Sequence, residues 1–133
     1  MPPELQEVRR WLEKAEHDRI GAAAALEYDP PVTDIAAFHC QQAIKKALKA
    51  YLVWRELDFE KVHDLERLID DCARHDTAFA PLKPRVAPLS AYAVRFRYPG
   101  PADPPLTDVR AALETAQAVL EFVNGRLPPE ARL

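Results

Sequence analysis

Residues 35–54, IAAFHCQQAIKKALKAYLVW, hold neither Pro nor Gly, in a chain that carries 13 prolines. Ala, Leu, Lys and Gln dominate the stretch, and these are strong helix formers. It predicts one long helix around which the rest of the chain must be arranged. At about 100° per residue, Ala36, Cys40, Ala43, Ala47, Ala50 and Trp54 fall on one narrow stripe. That stripe is small except at its last residue, so a neighbouring helix can pack close against it. Ile44, Leu48 and Tyr51 widen the apolar arc to one side. Gln42, Lys45 and Lys49 lie on the far side. His39 and Lys46 sit at one boundary of the arc and Gln41 at the other. One packed face and one polar face is the pattern of a bundle helix.

The other helices are read from the punctuation. Thirteen prolines against three glycines is a strong excess of proline over the usual share of about 5%, and the prolines cluster between periodic segments. Pro2-Pro3 suits the entry of a first helix. Leu5, Val8, Leu12, Ala15 and Arg19 give its period, and Asp29-Pro30-Pro31 stops it near Tyr28. Thr33 or Asp34 is placed to cap the central helix. His63-Asp64-Leu65 opens a third helix with Asp64 in its first turn and Leu65, Leu68, Ile69 and Cys72 as its apolar side. It runs out around Arg74-His75-Asp76. Pro81, Pro84 and Pro88 interrupt the next segment, leaving a short fourth helix over 88–94. The last helix starts near Thr107 or Asp108, packs through Val109, Ala112, Leu113, Ala116, Leu120 and Val123, and stops at Asn124-Gly125. The expected architecture is all-α: an up-and-down bundle of four or five helices, one domain over residues 1–133.

Composition narrows the function classes. A net charge of −3 gives no bulk attraction to nucleic acid, so any RNA contact must come from a local patch. Cys40 and Cys72 stand without a CxxC spacing or a signal peptide, which points to a reducing compartment and a cytoplasmic protein. There is no apolar run of about 18 residues, so no membrane span is expected. No Gly-rich phosphate loop, HExxH or Cys/His metal spacing is present, and Glu66, Asp70 and Asp71 do not form a convincing ligand set. Neither a metal nor a cofactor is expected.

Four motifs in order carry a family resemblance: Trp11 in the first helix; Phe38-His39-Cys40-Gln41-Gln42-Ala43 with Lys46-Ala47-Leu48-Lys49-Ala50; His63-Asp64-Leu65; and Arg97-Tyr98-Pro99. The chain resembles the HEPN domain, the higher eukaryotes and prokaryotes nucleotide-binding family, over nearly its whole length. The resemblance implies an up-and-down helical bundle that forms homodimers. It also implies a minimal nucleotidyltransferase as partner, in a toxin–antitoxin type of pair. Many members are metal-independent ribonucleases, while others bind nucleotides or partner domains without catalysis. Catalytic members carry Arg, four to six residues, then His, late in the chain. Here no His follows His75, and neither Arg95 nor Arg97 reaches one. Arg10 and His17 meet the spacing only within the first helix.

Three groups of residues are candidates for the site. His39, Gln42, Lys46 and Lys49 can line a nucleotide, with Lys as a point charge for phosphate and Gln reading a base edge; the alternative is a packed His beside a solvated lysine face. His63 can serve as a general base, since imidazole exchanges protons near neutral pH, or it can simply belong to the helix start. Arg95, Arg97 and Tyr98, with Phe96 between them, put charge and stacking surface in one short segment, a combination suited to single-stranded RNA or a nucleotide. The alternative is that Arg97 pairs with an acid such as Asp64. The expected function is a nucleotide- or RNA-binding dimer. The alternatives are a ribonuclease in which Arg97 holds the phosphate and His63 or His39 replaces the missing base, and a non-catalytic partner-binding module. Trp11 and Phe122 are the large apolar groups expected at a two-fold interface on the first or last helix.

Overall fold

The computed structural model describes residues 1–57, 64–93, 99–100 and 102–133. Among them the regular structure is helical. The elements are α1 (Pro3–Glu27), α2 (Thr33–Trp54), α3 (Leu65–Ala73), α4 (Lys83–Val86) and α5 (Leu106–Arg126), with 3-10 turns at Thr77–Leu82, Ala87–Ala93 and Pro129–Ala131. The all-α bundle expected from periodicity is the one observed.

The central position of α2 follows from its two-sided packing. From Ala36 to Trp54 none of its residues is exposed. Ala36, Ala37, Cys40, Ala43, Ala47 and Ala50 are fully buried, and their small side chains let neighbouring backbones approach. Leu48, Tyr51 and Leu52 supply bulk. Tyr51 packs its ring 4.5 Å from Phe79, and Phe79 meets Phe122 edge-on at 4.9 Å. This aromatic chain ties α2, the first 3-10 turn and α5 together, and each such pair adds about 0.5–1.5 kcal/mol beyond its buried area. Phe122 is thereby partly committed within the chain, with the Arg126 guanidinium 4.9 Å over its ring.

Several boundaries differ from expectation. Neither Thr33 nor Asp34 caps α2; both lie in its first turn, Val32 precedes it, and no side chain closes that end. Asp64 is itself the N-cap of α3, its carboxylate accepting from the Glu66 N–H at 2.9 Å. The proline-rich segment is helical from Thr77 to Ala93 in three short pieces. Prolines lack the N–H that an α ladder requires, so the chain tightens into 3-10 turns around them. Leu106 begins α5 after Pro105, and the helix passes through Asn124-Gly125 to end at Arg126. In α1 the buried successor to Ala15 is Asp18, and Arg19 is only half-buried.

Candidate functional site

Helices α1 and α2 run antiparallel, with Trp11 opposite Lys49, Asp18 opposite both His39 and Lys46, and Gly21 against the His39 ring. Three of the residues singled out on α2 are therefore held against one flank of α1. His39, Gln42, Lys46 and Lys49 are spaced at helical intervals on one side of α2, and all four are half-buried. They rim the seam between the two helices.

Asp18 is the centre of the seam. The residue is only 7% exposed. One carboxylate oxygen lies 2.7 Å from His39 Nδ1, and the other accepts from Lys46 Nζ at 2.7 Å. A carboxylate can only accept, so Nδ1 carries the proton in this contact. The ring is held from two more sides: its Cγ, Cδ2 and Nδ1 lie beside Gly21, and Phe38 meets it edge-on at 5.6 Å. The contact with Asp18 fixes the orientation of the imidazole and leaves its other nitrogen for a ligand. The shared carboxylate also holds the Lys46 ammonium at the rim, where it can meet phosphate.

One end of the seam is aromatic. Lys49 Nζ lies 5.7 Å from the centre of the Trp11 ring. Burial lowers the Lys49 ammonium from its ordinary range, as expected for a charge moved out of water. At the other boundary of α2, Gln41 is fully buried. Its Oε1 accepts from Gln42 Nε2 at 3.1 Å, and its own Nε2 has no partner among the described residues. Both thiols belong to the core: burial pushes Cys40 up to about 12 and raises Cys72 as well, which suits inert side chains.

The structure thus brings together His39, Lys46 and Lys49, with Gln42 beside them. It does not leave Lys46 in a freely solvated lysine face. His63, Arg95, Arg97 and Tyr98 lie outside the described residues, as does any pairing of Arg97 with Asp64. Sequence reasoning missed Asp18. The available signal was its place three residues after Ala15 and four before Ala22, which puts a carboxylate on the core stripe. Among the described residues no group of three or more His, Cys, Asp or Glu stands ready to hold a metal ion. Among them, too, no helix is long and apolar enough to cross a membrane.

An antiparallel helical pair with a polar seam, set in a small all-α bundle, is the class that fold and site define. The HEPN domain family model matches residues 8–126, and the chain belongs to the HEPN family. Among solved structures it is similar to TT1696 from Thermus thermophilus, with a TM-score of 0.79 and 29% identity, over 90% of this chain and 98% of that one. No protein of curated function matches it.

Proposed function

We propose that this HEPN protein binds nucleotide or RNA phosphate along the α1–α2 seam. The observation that carries the reading is the convergence of His39, Lys46 and Lys49 on one flank of α1. There Asp18 orients two of them and the Trp11 ring takes the third. Charged donors beside an aromatic ring match what a nucleotide offers, a phosphate and a stacking base. Arg95, Arg97 and Tyr98 complete the ligand set in this proposal, and the protein works as a homodimer with a minimal nucleotidyltransferase as partner in the cytoplasm. Sedimentation and co-purification test those last points.

The direct test uses tryptophan fluorescence in a Trp54→Phe variant, which leaves Trp11 as the reporter. Titration with ribonucleoside phosphates should change its emission. Lys46→Gln should weaken binding about tenfold, the equivalent of roughly 1.4 kcal/mol. An unchanged signal up to millimolar ligand, with no heat by calorimetry, overturns the reading.

One observation favours a second reading, metal-independent RNA cleavage. The Asp18–His39 contact gives this chain an oriented imidazole although the Arg–His pair of catalytic members is absent from its place. In that reaction Nε2 takes the proton from a 2′-hydroxyl as its oxygen attacks the phosphate. The bond from phosphorus to the 5′-oxygen breaks, leaving a 2′,3′-cyclic phosphate, the departing 5′-oxygen takes a proton from water, and Lys46 faces the developing charge. Incubation with RNA in EDTA decides it: cleavage lost in His39→Ala supports the reading, and intact RNA rejects it.

A further inference from the structure

Helix α1 carries its cations in two different ways. Arg9 pairs with Glu13 at 3.3 Å, and Arg19 pairs with Glu16, whose carboxyl that hydrogen bond holds below the usual range. Each acid lies one turn away on the same helix. Arg10 and Lys14 are exposed and have no ion-pair partner among the described residues. They stand four apart on one face, where like charges oppose helix formation by a few tenths of a kcal/mol. Helix stability therefore does not account for this pair.

The two cations border a groove of about 310 Å³ that is lined, among the described residues, by Glu7, Arg10, Trp11 and Lys14. Trp11 is the link to the seam, because the ammonium of Lys49 lies over its ring. From His39 to Lys49 the seam runs about 15 Å along α2, at 1.5 Å per residue. The groove meets the seam at Trp11. A row of cations of that length is suited to successive phosphates of a strand. Glu7 adds an acceptor, which repels phosphate and takes a base amine or a ribose hydroxyl.

We propose that the groove of Glu7, Arg10, Trp11 and Lys14 is a second subsite that holds an adjoining nucleotide, Arg10 and Lys14 on its phosphate, so that the ligand is a single RNA strand rather than a mononucleotide. The inference rests on the reading of the seam given above. It adds a separate location and a preference for chain length.

The test compares a ribonucleoside monophosphate with a single-stranded hexaribonucleotide, each titrated against the wild type and an Arg10→Gln/Lys14→Gln double variant. Both positions are exposed, so the fold should survive, and circular dichroism checks it. The wild type should bind the hexanucleotide at least about tenfold more tightly than the monophosphate. The double variant should lose that gain and leave monophosphate affinity unchanged. Its slope of log affinity against log salt should shrink by about 0.7, the share of one neutralised phosphate on a single strand. Equal affinity for both ligands, or a variant with undiminished hexanucleotide affinity and slope, overturns the second subsite alone. Absence of binding by either ligand to the wild type overturns the seam and the subsite together.

Discussion

The two flanks of α2 repeat at the same helical period and are built for different ends. One flank, Ala36, Cys40, Ala43, Ala47 and Ala50, is sealed and chemically silent. The other, His39, Gln42, Lys46 and Lys49, packs its stems against α1 and keeps its polar ends at the rim. Small side chains on the first flank bring backbones close, and long side chains on the second span the gap to Asp18 and Trp11. The lesson is that a half-buried polar flank is a different object from a solvated one. Its charges have fixed partners, and therefore fixed directions.

The largest expected break is on the buried side of α2, the sealed flank together with the Leu48 arc beside it. Leu48 is fully buried, and Leu48→Ala should cost about 2–5 kcal/mol through lost transfer energy and the cavity left behind. Overfilling the sealed flank by Ala47→Leu should cost about 1–3 kcal/mol. Urea unfolding followed by circular dichroism measures both. A loss below about 1 kcal/mol for Leu48→Ala would mean that this side is not the packed seat of the fold.

The seam should break less in stability and more in chemistry. Asp18→Ala removes the acceptor for His39 and Lys46, both partly exposed, so water takes over some of the lost contacts. The expected cost is about 1–2 kcal/mol. Asp18→Asn keeps one side-chain oxygen to accept from Nδ1 and should cost less. Nitrogen NMR of the imidazole separates the roles: wild type and Asp18→Asn should keep the proton on Nδ1, and Asp18→Ala should let the tautomers mix. Retention of the Nδ1 proton in Asp18→Ala would show that the carboxylate does not set the ring.

This contrast explains what was legible in the sequence. The sealed flank was readable because burial imposes a strict period on Ala, Leu and Cys, and the Ala36–Ala50 stripe follows it. The rim residues His39, Lys46 and Lys49 were readable as a group because they share one side of one helix. Their partners were not, since Asp18 lies 21 residues before His39 and only the antiparallel hairpin brings the two together. Helix ends misled for a related reason. Capping depends on backbone geometry, and Thr33, Asp34 and Gly125 carry capping chemistry in places where the geometry does not use it.

The smallest effect sharpens the comparison from outside both flanks. At the end of α2, Glu56 adopts a left-handed backbone with φ 56°. Its N–H donates to the Val53 carbonyl at 3.0 Å, and the Leu57 N–H donates to the Leu52 carbonyl at 2.9 Å. That is the pairing of a Schellman end, where glycine is usual. At the end of α5 the opposite holds: Gly125 stays helical, with nothing within 4 Å of an added Cβ. Glu56→Gly removes the left-handed penalty of about 1–2 kcal/mol and gives back about 0.5–1 in chain entropy, a net gain of roughly 0.5–1. Gly125→Ala should gain up to about 1 kcal/mol by restricting the unfolded chain. Thermal unfolding of each variant and of the pair should show additive increases, as for two independent sites. Nucleotide affinity should stay unchanged in all three, since neither position touches the seam. A stabilised variant with altered affinity would show instead that the ends of α2 and α5 are coupled to the flank that faces α1.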